Sequence, residues 1–262
     1  RFRKRKNKMA SKKHSAINAL AAFDSEYVSG RSWLVGIDEA GRGCLAGPVC
    51  AGAVAVSAKA YANPAFLDAL SLLDDSKKLS ESRREELYST LCMLKKSGEI
   101  DFEAAFASVA EIEKFNILSA TQMAMTRAAE KLDERLHLGL RKSSSPATLF
   151  GEAALDTSIA CLLIDGKPMK KVPYAHTAVV KGDASSLAVA AASIVAKFTR
   201  DKFMRDISAK YPRFGFDVHK GYGTAAHLQS LLLFGATDIH RPSFLKKLRA
   251  ESEKTEMQAE LF

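Results

Sequence analysis

The 262-residue chain reads as an α/β protein, on three features of its pattern. Short apolar runs suited to buried strands alternate with longer segments of helical period. Two of those runs, Trp33 to Ile37 and Ile159 to Ile164, are each followed by acid and then glycine: Asp38-Glu39 before Gly41, and Asp165 before Gly166. A long alanine-rich helical segment, Ala184 to about Ala209, has a smooth side able to lie close against a sheet.

Ahead of the first strand, Ala16 to Tyr27 carries Ile17, Leu20, Ala21 and Phe23 at helical spacing. The first strand then delivers Asp38 and Glu39 to the turn Gly41-Arg42-Gly43. After Gly47-Pro48, Val49 to Val56 forms a second strand, near enough in sequence to pair with the first as a hairpin. Asp74 to Leu79 is a polar loop. Ser82-Arg83-Arg84-Glu85 fits a capping box for a helix running to about Lys96, with Leu87, Leu91 and Leu94 on one face. Ile100 to Val109 alternates as a third strand, and Ala110 to Leu138 is helical with a break at Asn116-Ile117-Leu118. Gly139 to Thr157, rich in serine, reads as an irregular loop before the strand that presents Asp165. If that strand runs parallel beside the first, their acids meet at one sheet edge and the loop lies at the opposite end. Ala175 to Val180 is the fifth strand. It leads through Lys181-Gly182-Asp183 to the long helix, where Asp183 serves either as an N-cap or as a further acid of the cluster. Thr224 caps a last helix to about Phe234, and Leu245 to Glu260 is mostly charged, with a helix that frays.

Composition narrows the function classes. No apolar run approaches the roughly 20 residues that span a bilayer, so no membrane role is expected. Residues Met9 to His14 are polar where the apolar core of a secretory signal would begin. Cys44, Cys50, Cys92 and Cys161 show no Cys-x-x-Cys spacing, which predicts small buried thiols and a cytoplasmic protein. Of the formal net charge of +9, eight charges lie in residues 1–13, on Arg1, Arg3, Lys4, Arg5, Lys6, Lys8, Lys12 and Lys13. Such an arm attracts nucleic-acid phosphates without reading sequence, or serves only as a solubilising leader.

Adjacent carboxylates at a strand end repel by roughly 4 kcal/mol at about 4 Å and an effective dielectric near 20. A divalent cation offsets that most simply. Asp38, Glu39, Asp165 and Asp183 come from three strand ends and offer only oxygen, which favours Mg²⁺ or Mn²⁺ over zinc. Two such ions would suit in-line hydrolysis of a phosphodiester. One difficulty is geometric: neighbours in a regular strand point to opposite faces, so a turn or bulge must bring Glu39 round to Asp38. Tyr222, between Gly221 and Gly223 and close to His219 and Lys220, suits stacking on a base or sugar, or else packs as a lid. A non-catalytic nucleic-acid-binding module, using the arm and Tyr222 while the acids merely cap and solvate, is the competing reading.

Taken together, Asp38-Glu39-Ala40-Gly41-Arg42-Gly43, Asp75-Ser76-Lys77-Lys78-Leu79, Asp165-Gly166, Lys181-Gly182-Asp183, the Ala190 to Lys197 segment and His219-Lys220-Gly221-Tyr222-Gly223-Thr224 resemble ribonuclease HII. The resemblance runs in order from about Trp33 to Phe244 and is weaker to ribonuclease HIII, whose opening motif has Ser-Gly-Lys-Gly after the acids. It implies a ribonuclease H-like fold, a mixed five-stranded sheet flanked by helices with a helical C-terminal part. It also implies an endonuclease that cuts the RNA strand of RNA-DNA hybrids, and cuts 5′ of single ribonucleotides in duplex DNA, leaving 3′-hydroxyl and 5′-phosphate ends. Removal of primers and of misincorporated ribonucleotides would follow. By position, Asp38, Glu39, Asp165 and Asp183 match the metal-binding catalytic acids, Gly41, Arg42 and Gly43 the turn that senses the 2′-hydroxyl, and Tyr222 the tyrosine at the RNA-DNA junction. A ribose 2′-hydroxyl both donates and accepts, so backbone groups bared by glycine are suited to that task. Lys77 is assigned a phosphate contact.

The organisation expected is a basic arm over 1–15, a catalytic domain over 16–244 and a charged tail over 245–262, in a monomer. The tail ends Gln258-Ala259-Glu260-Leu261-Phe262, similar to the Gln-x-x-Leu-Phe peptides that dock on the bacterial sliding clamp; the plainer reading is an amphipathic helix end.

Overall fold

The computed structural model describes residues 16–73, 79–140 and 159–246. The basic arm, Lys77, residues 141–158 of the serine-rich loop, and Gln258, Leu261 and Phe262 lie outside the described residues. Helix α1 covers residues 16–28 and buries Ile17, Leu20 and Ala21. Five strands follow: β1 (Trp33–Ala40), β2 (Val49–Ser57), β3 (Ile100–Ala107), β4 (Ala160–Asp165) and β5 (Thr177–Val179). The helices are α2 (Pro64–Ala69), α3 (Glu81–Lys96), α4 (Val109–Leu136), α5 (Leu187–Ser208), α6 (Phe216–His219) and α7 (Ala225–Phe234).

The strands form one mixed sheet in the order β3-β2-β1-β4-β5. β1 and β2 are the expected hairpin, β3 continues it antiparallel, and β4 and β5 run parallel to β1. Alternate residues of β1 feed two separate cores. Leu34 joins one, with Val54, Val56 and the Ala188–Val195 side of α5; Val35 and Ile37 join the other, with Ala124, Met125 and Ala128 of α4. Helices therefore cover both faces. Helix α5 lies directly on β1 and β2: a Cβ at Gly36 would stand 2.3 Å from the Ala188 carbonyl carbon, and one at Gly52 2.4 Å from the Ala192 oxygen.

Several boundaries differ from the sequence reading, each for a local reason. Helix α3 starts two residues earlier than the Ser82 box implied, because extended Ser80 accepts from the Arg83 N–H. A capping box does form, at Ser108 and Glu111 of α4. The break foreseen at Asn116 is a left-handed residue (φ 67°) inside α4, and its side chain accepts from the Ser119 N–H to restart the helix. Both flanks of the serine-rich loop lie at the N-terminal end of β4, where the Ile159 N–H donates to Leu138 O, opposite to Asp165. All four cysteines are free, Cys44 and Cys50 buried and the other two half-buried. Among the described residues no helix is long and apolar enough to cross a membrane.

Candidate active site

Asp38 and Glu39 stand inside β1, not beyond it. The β1–β2 ladder continues without a bulge through Glu39↔Ala51 and Ala40↔Cys50, whereas pairing with β4 stops at Ile37↔Ile164. Beyond that pair the Glu39 N–H is taken up by Asp38 Oδ1 at 2.7 Å. Neither device expected to turn Glu39, a glycine turn or a bulge, is needed at that residue. Its longer chain reaches the cleft that Asp38 also lines, and Arg42 donates to Glu39 Oε1 at 2.9 Å.

Asp165, at the end of β4, accepts from the Gly182 N–H at 2.6 Å. Gly182 opens a single 3₁₀ turn, Gly182–Ala184, which carries Asp183. The N-cap of α5 is Ser186, whose Oγ accepts from the Val189 N–H at 3.2 Å. Asp183 is thus not the cap of α5, and its buried carboxyl adds to the charge felt by Asp38. Asp38 is almost fully buried, and its pKa is pushed well above the carboxylate range, first by burial and then by the charges of Glu39, Asp165 and Asp183. The four acids share one electrostatic field. They do not form a closed cage: among the described residues no three His, Cys, Asp or Glu side chains are grouped to hold a metal ion, and Glu39 is turned toward Arg42. An all-carboxylate donor set that resists carrying its own charge nonetheless fits a hard cation.

The cleft has a volume of about 300 Å³ and is lined by Asp38, Glu39, Ala40, Gly41, Arg84, Ser193, Lys197 and Tyr222. Two cations, Lys197 and Arg84, share that lining with the acids. Lys197 on α5 pairs with Asp201 at 2.7 Å and lies 5.1 Å from the Tyr222 ring centre; Arg84 on α3 stands 3.8 Å from the same Asp201. Tyr222 itself is 39% exposed, so its ring is neither a buried lid nor a free flag. The glycines of the Gly41-Arg42-Gly43 turn differ. Gly41 has φ +91°, and a Cβ there would meet Arg200 Nε at 1.9 Å, so packing inside the protein explains it. A Cβ at Gly43 would meet nothing within 4 Å.

The ribonuclease HII family profile matches residues 35–247, most of the chain and all of the cleft. The chain belongs to the ribonuclease HII family. Its members are endonucleases that act on RNA-DNA hybrids. The ribonuclease HII of Fusobacterium nucleatum subsp. nucleatum is 38% identical over 241 residues, spanning 91% of this chain and 96% of that one. The fold is shared with the ribonuclease HII of a PCNA:RNase HII complex from Archaeoglobus fulgidus (TM-score 0.55, 23% identity, covering 80% of this chain and 94% of that chain). It is also shared with Bst-RNase HIII in complex with Mn²⁺ (TM-score 0.54, 16% identity, 78% and 63% covered).

In this ribonuclease HII family member, side chains that the sequence reading passed over hold the site's loops. Arg200 and Arg241 are fully buried. Arg200 donates to the carbonyls of Pro48, Ala46 and Lys220; Arg241 donates to those of Gly41, Arg42 and Gly47. Burial lowers the pKa of Arg241 to about 10, which still leaves it charged at neutral pH. Three histidines brace the Tyr222 turn from behind. His227 Nδ1 meets the Tyr222 carbonyl at 2.9 Å, its Nε2 meets His240 Nε2 at 3.1 Å, and its ring stacks on His219. His240 Nδ1 accepts from the Thr237 N–H, so its Nε2 carries the proton toward His227 and both rings are neutral. Burial first, then the neighbouring imidazole, lowers the pKa of His240 to about 4. In sequence the only hint of these roles was a basic residue inside an apolar helix face, Arg200, and a His-Arg-Pro turn after α7.

Proposed function

We propose that the chain hydrolyses the RNA strand of RNA-DNA hybrids and cuts on the 5′ side of single ribonucleotides in duplex DNA, leaving 3′-hydroxyl and 5′-phosphate ends. Primers and misincorporated ribonucleotides are the substrates this reading names. One observation carries it: buried Asp38 stands in the field of Glu39, Asp165 and Asp183, in a cleft that Lys197 and Arg84 also line. Asp38, Glu39, Asp165 and Asp183 are the catalytic acids and would hold Mg²⁺ or Mn²⁺, in keeping with the Mn²⁺ complex of the similarly folded ribonuclease HIII. Ions held by these acids would supply an activated water and offset charge on the leaving oxygen.

The remaining roles belong to the chain. Lys197 and Arg84 draw the phosphates into the cleft and offset their charge. Backbone groups of Gly41, Arg42 and Gly43 read the 2′-hydroxyl, and the open space beside Gly43 is the room a sugar needs. Tyr222, held by its carbonyl, packs on the sugar or base at the RNA-DNA junction. Lys77 adds a phosphate contact. The arm over 1–15 supplies non-specific attraction, residues 16–244 are the catalytic domain, and the 245–262 tail docks on the sliding clamp through Gln258, Leu261 and Phe262. The PCNA complex of the Archaeoglobus enzyme supports a clamp as partner. The protein works as a cytoplasmic monomer.

The test is Asp38→Asn on a duplex carrying one ribonucleotide. Folding and duplex binding are retained, while cleavage falls by roughly 10³-fold or more, equivalent to several kcal/mol of transition-state stabilisation. Cutting at the wild-type rate overturns the catalytic assignment.

A further inference from the structure

Arg241 follows α7, 200 residues from Gly41 in sequence, yet its guanidinium sits fully buried beneath the Gly41-Arg42-Gly43 turn. Nη2 donates to Gly41 O at 2.8 Å and Nη1 to Arg42 O at 3.0 Å. Nε and Nη2 donate to Gly47 O at 2.8 and 2.7 Å. The ring of Phe244 lies 5.2 Å from its Cζ. In a trans peptide the carbonyl and the following N–H point in opposite directions. Drawing the oxygens of Gly41 and Arg42 inward onto one rigid cation therefore aims the N–H groups of Arg42 and Gly43 away from Arg241, toward the open side of the turn.

We infer that Arg241 is the positioning residue for ribose discrimination: its guanidinium sets the two peptide planes whose N–H groups meet the 2′-hydroxyl. The inference rests on the reading of residues 41–43 given above. Arg200 does a different job. Its three carbonyl partners, on Pro48, Ala46 and Lys220, lie outside residues 41–43, and it joins that loop to the turn carrying Tyr222. Lysine cannot replace Arg241, because a single ammonium lacks the planar fork that reaches three carbonyls at once.

The experiment measures affinity, by anisotropy in EDTA, for two labelled duplexes that differ only in one 2′-hydroxyl. In Arg241→Lys, the wild-type preference for the ribonucleotide duplex falls about tenfold, the equivalent of one hydrogen bond to the hydroxyl, while affinity for the all-DNA duplex is kept. Phe244→Leu leaves the guanidinium but removes the ring against it, so it shows the same loss in milder form and keeps the test open if Arg241→Lys does not fold. Asn63→Ala, which removes the side-chain cap of α2 beyond the Ser57 end of β2, lowers thermal stability but retains the preference, so lost stability alone does not account for the effect of Arg241→Lys. A wild-type protein with no preference removes the 2′-hydroxyl reading itself. A wild-type preference that survives in Arg241→Lys, or in Phe244→Leu where the lysine variant is unfolded, overturns the role of Arg241 alone.

Discussion

The Gly182 N–H donates to Asp165 Oδ1 at 2.6 Å, and that bond ties the end of β4 to the turn that carries Asp183. The acid that ends β4 and the acid of the turn after β5 are thereby linked, and both add to the field at Asp38. Because Ser186 and not Asp183 caps α5, the two residues separate cleanly under substitution. Ser186→Ala lowers stability by about 1 kcal/mol, the usual worth of a cap, with cleavage per folded molecule little changed. Asp183→Asn abolishes cleavage while stability holds or rises. Urea melts beside single-turnover rates decide it, and a destabilised but active Asp183→Asn returns the cap to Asp183.

The two glycines of the turn make a second pair. Gly41→Ala forces a Cβ onto Arg200 at positive φ and costs roughly 2 kcal/mol or more, visible as a lowered melting temperature. Gly43→Ala meets no protein atom, so the fold keeps its melting temperature while cleavage at a single ribonucleotide drops. Equal melting losses in both variants would contradict this division.

Asp24, on α1, gives a pH signature. It is completely buried, accepting from the Tyr61 hydroxyl at 2.8 Å and from the Ala188 N–H at 2.9 Å. Burial raises its pKa from 3.8 to about 6 despite those bonds. The folded state thus holds the proton more tightly than the unfolded chain. The stability this contributes is complete below about pH 4 and is lost as pH rises through about 6. Relative to Asp24→Asn, the wild type loses up to about 3 kcal/mol between these limits. Denaturant titrations at several pH values check it, with parallel stability curves as the failing result.

A fourth prediction concerns the tail. Removing Leu261 and Phe262 leaves cleavage of a ribonucleotide-containing duplex intact and abolishes binding to the sliding clamp. Unchanged affinity in a clamp titration rules the docking peptide out.

What could be read from the sequence was what neighbours in the chain decide. The acid-then-glycine endings of β1 and β4, the Asn116 break and the Thr224 cap all depend on residues within a few positions of each other, and all stand in the structure. The start of α5 was misplaced because Asp183, Ser185 and Ser186 are all competent to cap, and only the folded backbone selects Ser186. Arg200 and Arg241 were passed over for another reason. Their partners are carbonyls 20 to 200 residues away, which no periodicity encodes. Buried Asp24, bonded to an amide 164 residues on, was hidden in the same way.

Those separations set an order on synthesis. A ribosome releases β1 and its two acids early, Asp165 and Asp183 much later, and Arg241 near the end. A nascent chain that stops short of residue 241 would carry all four acids while its Gly41-Arg42-Gly43 segment still lacked the guanidinium that shapes it. If the acids cut and the turn discriminates as proposed above, a prematurely terminated product is the form in which the two abilities would come apart.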